Sequence, residues 1–240
     1  GDPNLFGIGG GASIFLAASY AGIFVLDEHW IFLGSIISSL IVSLILSRLI
    51  SSKDLTPIKL ALMGIALGTL TISIGTAVIS FGRVFPGQVI GLAAGSFTSS
   101  NWDKIVYLLI ILIPVLLITF VFSKRFYPIM LGDVLSKTLG VNPIRNRNIA
   151  MSLAGILSGA SVYAGGLIGF VGLIAPHLSR KILGNHPFHL ILGSTILGGL
   201  LTLFSDQLAR LLFAPTELPV GMATTILGAP MMMYLAWRLK

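Results

Sequence analysis

Seven stretches of this chain are apolar and contain no Asp, Glu, Lys or Arg: Leu5 to Leu26, Trp30 to Ser47, Leu60 to Gly82, Ile105 to Ser123, Ile149 to Pro176, Phe188 to Ser205 and Leu218 to Trp237. About 20 residues of helix cross the ~30 Å hydrocarbon core of a bilayer, so most of these runs are long enough to span it. Charged residues make up only 10% of the 240 and the mean hydropathy is +0.98, whereas about a quarter of a soluble domain is charged. The expected fold class is all-α, a polytopic membrane helix bundle forming one domain over residues 1–240.

The Ile149 to Pro176 run is too long for one span followed by the basic residues Arg180 and Lys181. A division near Gly165 and Gly166 predicts one helix ending about Tyr163 and another over about Ile168 to Leu183, making eight spans. Val84 to Phe97, uncharged but short and glycine-rich, is expected to be a re-entrant or interfacial piece. Charge placement supports the count. From a cytoplasmic start, one side carries Arg48, Lys53, Lys59, Lys124, Arg125, Lys137, Arg145, Arg147, Arg180, Lys181, Arg238 and Lys240; the other carries Arg83, Lys104 and Arg210. That 12 to 3 split follows the positive-inside rule and places both termini of the chain in the cytoplasm. The net charge of +7 is therefore a topology signal rather than a nucleic-acid-binding face.

Several chemistries are excluded. With no cysteine, the chain has no disulfide, thiolate metal site or cysteine nucleophile. GIGGGA (7–12) fits a dinucleotide pattern but opens a membrane run and follows no strand. No G-x-x-x-x-G-K-[ST] is present, so no P-loop binds nucleotide here, and the four histidines form no H-E-x-x-H pair. No catalytic, cofactor or metal residue is expected. The 28 glycines suit close helix packing in lipid, where small residues replace the missing hydrophobic drive. Gly166, Gly169 and Gly172 are concentrated before a short helix starting near Pro176, which favours an irregular, cavity-lining segment. Asp206 is the one carboxylate well inside an apolar run, with Arg210 four residues on and on the same helical face. A proton relay would need further buried carboxylates, and none is expected.

GGLIGFVGLIAPHLSR (165–180), DQLAR (206–210), ELPVG (217–221) and LGAP (227–230) together resemble the FecCD-type permeases, the membrane subunits of ABC importers for iron-siderophores, haem and cobalamin. GDPNLFGIGGGAS (1–13), LMGIALG (62–68), AAGSF (93–97) and LGDVLSKTLGVNP (131–143) follow the family's order. The family has about ten spans, so this chain is expected to lack the first two.

The resemblance implies a transport subunit rather than an enzyme, with ATP and Mg on partner chains. Those partners are two ATP-binding subunits, a second permease subunit (identical or different), and an extracytoplasmic substrate-binding protein, all at a bacterial plasma membrane. It implies an ATPase-coupling surface at Leu131, Gly132, Asp133, Leu135, Leu139 and Gly140, in a helix pair within the stretch Lys124 to Asn148. It implies binding-protein docking at Arg210 and a pathway or gate at Thr56, Gly166, Gly169 and Gly172. Structural roles are implied for Pro176, His177, Asp206, Glu217 and Pro219. The expected cargo is an iron-siderophore, with haem or cobalamin as alternatives. A self-contained, ion-coupled carrier is the competing class; intramembrane carboxylates and an inverted repeat would mark it.

Overall fold

The computed structural model describes residues 2–4, 6–51, 57–82, 86–130, 132–212 and 218–238. They form α1 (Ile8–Tyr20), α2 (Glu28–Ser51), α3 (Pro57–Phe81), α4 (Pro86–Ala94), α5 (Trp102–Met130), α6 (Asp133–Thr138), α7 (Pro143–Gly165), α8 (Val171–Leu183), α9 (Pro187–Leu212) and α10 (Val220–Arg238), with no strand among the described residues. Eight of these helices occupy the eight expected spans. The short α4 falls in the expected re-entrant piece, and α6 in the long basic connection.

By length and composition four helices can cross a membrane unaided: Glu28–Ile50, Leu62–Ser80, Trp102–Ile129 and Pro187–Leu211. Two of the others, α1 and α8, have 13 residues each, about 20 Å at 1.5 Å per residue. Each runs beside half of a longer neighbour. The Ser39 hydroxyl, midway along α2, donates to the carbonyl of Ile8 at the start of α1 (3.0 Å). A Cβ on Gly34 would meet the Phe15 ring, so α1 covers only the first half of α2. In the same way Gly198 of α9 lies against Ala175 and Val171, and Gly193 against Ser179.

The starts of these two half-helices are tied together inside the bundle. Asn4 donates from Nδ2 to the carbonyl of Ile168 (2.9 Å) and from its backbone N–H to Asp2 Oδ1 (2.8 Å). Asp2 is only 1% exposed, and its carboxylate lies against Gly172 in the first turn of α8. Free N–H groups and the positive end of the helix dipole favour an anion there. Asp2 corrects the expectation that no carboxylate besides Asp206 is buried. It precedes the first apolar run, so only the fold could bring it inside.

The most extensive seam joins α2 to α7. Ser35, Ser39, Ser43 and Ser47, four apart and each at most 1% exposed, form one face of α2. Opposite them, a Cβ on Gly159 would stand 2.7 Å from Ile36 Cα, and one on Gly155 2.8 Å from Ser43 Cβ. Ser43 donates to the Met151 carbonyl and Ser47 to Asn148 Oδ1. Small residues thus bring the backbones together, and two of the four hydroxyls find acceptors across the seam. At one end the seam opens into an aromatic core. The ring of Phe32 lies 5.0 Å from that of Tyr163 and 5.7 Å from that of Tyr107.

Two boundaries differ from expectation. Helix α8 starts at Val171, so Pro176 sits inside it rather than at its head. The segment 166–170 does the breaking, through Gly166 at φ 71° and Phe170 at φ 68°. Lys124 to Asn148 is not one long connection. Apolar packing carries α5 on to Met130, and α7 already begins at Pro143, where the Asn142 side chain accepts the Arg145 N–H (3.1 Å).

Candidate functional site

Helix α3 has two dissimilar faces. One is buried at Gly64, Gly68, Thr71 and Gly75 and packs closely on α1: a Cβ on Gly7, at φ 72°, would stand 2.6 Å from the Gly68 nitrogen. The other exposes Thr69, Ser73, Thr76 and Ser80, which at 100° per residue fall within about 60° of arc. Thr69, Thr76 and Ser80 donate to carbonyls of their own helix at 2.9–3.0 Å, leaving oxygen lone pairs outward. A hydroxyl stripe gains nothing from contact with hydrocarbon, so it suits water, a polar solute or another protein surface.

Two adjoining cavities lie beside the bundle's α4, and Ile72 of α3 borders the smaller. A cavity of about 580 Å³ is bounded by Asn4, Gly10, Ile72, Ala94, Gly169 and Thr225. A larger one of about 870 Å³ has Tyr20, Gln88, Lys104, Tyr163, Gly166 and Pro219 in its wall, and Met222 lines both. Helix α4 separates them and is gripped by glycines. A Cβ on Gly166 would stand 2.3 Å from the Gly91 carbonyl oxygen, and one on Gly221 1.9 Å from that of Ala94. Any side chain at either position would push α4 away from α7 or α10.

The polar end of the larger cavity is built from α2, α5 and α7. Tyr163 donates its hydroxyl to Glu28 Oε1 (3.0 Å). Lys104 donates to the Ser99 carbonyl (3.1 Å), and its ammonium lies 5.7 Å from the Tyr163 ring centroid. Sequence reasoning missed Lys104, which it counted only as a topology charge. It also missed the α3 stripe, whose 4-3-4 hydroxyl spacing in TLTISIGTAVIS was the available signal.

The sequence-predicted residues do not form one cluster. Gly166 and Gly169 line the two cavities, but Gly172 lies away from both, against Asp2. Pro219 borders the larger cavity just ahead of α10. Arg210 Nε donates to Asp206 Oδ2 at 2.9 Å, with the side chains 40% and 18% exposed, so the expected ion pair forms. His177 has a buried Nε2 with no hydrogen-bond partner, and no group of three potential metal ligands occurs among the described residues.

Near the opposite end, Gly132 (φ 100°) and Gly140 (φ 75°) bracket α6. Its Ser136 is fully buried and donates to the carbonyls of Pro128 (2.7 Å) and Gly132 (2.8 Å). That pins one side and leaves Leu135 50% and Leu139 59% exposed on the other. Asp133 opens α6, and Leu139 is its C-cap rather than a member of it. No second short helix follows α6 before α7 begins at Pro143, and Asn142, Arg145, Asn148 and Ser152, over the start of α7, border a cavity of about 500 Å³. Leu131, Thr56 and Glu217 lie outside the described residues.

Known proteins share this arrangement. The profile of the FecCD transport family matches residues 1–238. The Fe(3+)-citrate import system permease protein YfmD of Bacillus subtilis is 35% identical over 243 residues, covering 98% of this chain and 70% of that protein. The vitamin B12 import system permease protein BtuC of Vibrio parahaemolyticus is 35% identical over 236 residues, covering 98% and 71%. A solved inward-facing structure, assigned to the metal-chelate type of ABC transporters, superposes with a TM-score of 0.86 at 28% identity, covering all of this chain and 76% of that one. With its whole length matched by the family and its helices superposing on a solved transporter, the chain belongs to the FecCD transport family and is a membrane permease of an ABC importer.

Proposed function

We propose that the chain passes a ferric siderophore across a bacterial plasma membrane, with both termini in the cytoplasm. A binding protein delivers the cargo from outside, and two ATP-binding subunits holding ATP and Mg drive the cycle. The observation that carries this reading is the α3 hydroxyl stripe, which is left uncovered by the chain's own described helices, on a helix whose Ile72 borders the smaller cavity. A second permease subunit facing the stripe would complete a polar conduit. Gly166 and Gly169, in the walls of the cavities, belong to the pathway on this reading, whereas Gly172 has a packing role against Asp2.

Haem and cobalamin are the alternative cargoes, and the vitamin B12 relative, as similar in sequence as the Fe(3+)-citrate one, favours keeping cobalamin in view. An ion-coupled carrier is less well supported. Asp2 is held at a helix start and Asp206 is paired with Arg210, so neither belongs to a chain of carboxylates across the membrane.

The deciding experiment is uptake of radiolabelled ferric siderophore, haem and cobalamin by the assembled importer with matched binding proteins. Ferric siderophore uptake that falls several-fold in Thr76→Leu, with the variant accumulating normally, is the expected result. Transport of cobalamin or haem alone would reject the iron assignment, and ion-gradient uptake by the isolated chain would reject the importer.

A further inference from the structure

Lys104 stands apart among the charges near the larger cavity. It is half-buried, has no carboxylate partner within ion-pair distance among the described residues, and is held by the carbonyl and hydroxyl of Ser99 and the face of Tyr163. Glu28 is engaged by the Tyr163 hydroxyl. Asp27 and Asp103 are exposed at the surface. The wall of the same cavity also carries polar groups with no protein partner among the described residues: the Tyr20 hydroxyl and the Gln88 amide. Its remaining wall is largely apolar, with Ile90, Leu92, Val162 and Met222. The volume of about 870 Å³ lies within the range of small-molecule sites, roughly 300–1,000 Å³.

A lone cation in a partly apolar recess is screened less than one on an open surface, so it selects for negative charge. From this we infer that the cavity is a reception site for an anionic, oxygen-donor metal chelate, with Lys104 as its counter-charge and Tyr20 and Gln88 as hydrogen-bonding partners. The inference rests on the importer reading and refines it. Some cargo discrimination then lies in the permease itself, against neutral chelates of similar size, as well as in the binding protein.

Because the chain has no cysteine, Gln88→Cys introduces a single thiol into the cavity wall. Its modification is followed by mass shift of this chain in the assembled importer, using negatively and positively charged thiosulfonate reagents, each normalised to a free thiol. The negative reagent should be favoured by about fivefold, a preference that Lys104→Gln abolishes and Lys104→Arg keeps. Ferric citrate or a ferric tris-catecholate should slow modification, whereas a neutral ferric trihydroxamate at the same concentration should not. An unchanged reagent preference in Lys104→Gln, or equal protection by the neutral and anionic chelates, overturns the inference. Absence of iron-chelate uptake by the wild-type importer would instead reject the proposed function, and the reagent preference at Gln88→Cys is read without any transport.

Discussion

A Cβ on Gly228 of α10 would stand 2.5 Å from the Cβ of Phe170, and Phe170, at φ 68°, is the one non-glycine residue with positive φ among the described residues. The strained residue that starts α8 is thus seated directly on a glycine of α10, inside the LGAP sequence. Positive φ is costly for a bulky residue and persists only where the surroundings enforce it.

Gly228→Ala should therefore destabilise the protein by about 1–3 kcal/mol, as overpacking does. Adding Phe170→Gly removes the opposing Cβ and suits the backbone angle, so the double variant should lose at least ~1 kcal/mol less than the two single losses added together. Unfolding midpoints of the purified protein in detergent measure this. Strict additivity would show that the two residues move apart without cost.

The α2–α7 seam separates two kinds of loss. Ser43→Ala removes the hydrogen bond to the Met151 carbonyl of α7, worth about 0.6 kcal/mol in a membrane, and should leave accumulation unchanged. Gly159→Val places a branched side chain where even a Cβ would be 2.7 Å from Ile36 Cα, so little folded protein should reach the membrane. Normal levels and thermal stability of Gly159→Val would mean that the close approach is dispensable.

Arg210 and Asp206 distinguish docking from pairing. At 40% and 18% exposure a pair four residues apart contributes only about 0.3–0.5 kcal/mol, so neither Arg210→Glu nor Asp206→Asn should prevent accumulation. Reversing the charge should slow association of the binding protein about tenfold at low salt and flatten its salt dependence. Asp206→Asn should leave association near the wild-type rate. Stopped-flow association across a salt series decides between them, and identical behaviour of the two variants would remove Arg210 from the docking surface.

Just beyond α6, Gly140 has φ 75° with open space around it. A valine there meets no neighbour but costs about 1–2 kcal/mol in backbone strain, enough to reset the turn while the membrane helices stay packed. Gly140→Val and Leu135→Asp should both keep ATP hydrolysis while lowering uptake per ATP consumed. The two rates, measured together in reconstituted importer, test this; coupled transport at the wild-type ratio would move the coupling surface off α6.

The bundle, its eight main helices and its polar breakpoints were legible because membrane insertion is a local matter. Each run of about 20 apolar residues enters lipid on its own account, and Gly165 and Gly166 break a helix through their own backbone preferences, whereas the start of α7 at Pro143, ahead of its apolar run, was not read. Local preference also placed Arg210 beside Asp206, since four residues on a helix fix that distance in advance. It misplaced the start of α8, because a proline inside the helix looked like its beginning, and Phe170 is held in a conformation its own sequence disfavours.

What decides the site is contact between segments far apart in the chain. Asp2 is buried only because residues 2–4 hook onto residues 168–172. Lys104 is a binding candidate rather than a topology charge only because α5 sets it over Tyr163 of α7, beside a cavity walled by α4 and the start of α10. The α3 hydroxyls, spaced regularly in the sequence, take on meaning only once Gly68 and Thr71 have turned the other face of the helix onto α1. Sequence determined which segments enter the membrane and on which side their charges are expected, because hydrophobicity and charge are summed along the chain. Tertiary packing alone decided which faces stay open and which polar groups converge, because in lipid those choices depend on the fit of small residues between helices rather than on hydrophobicity.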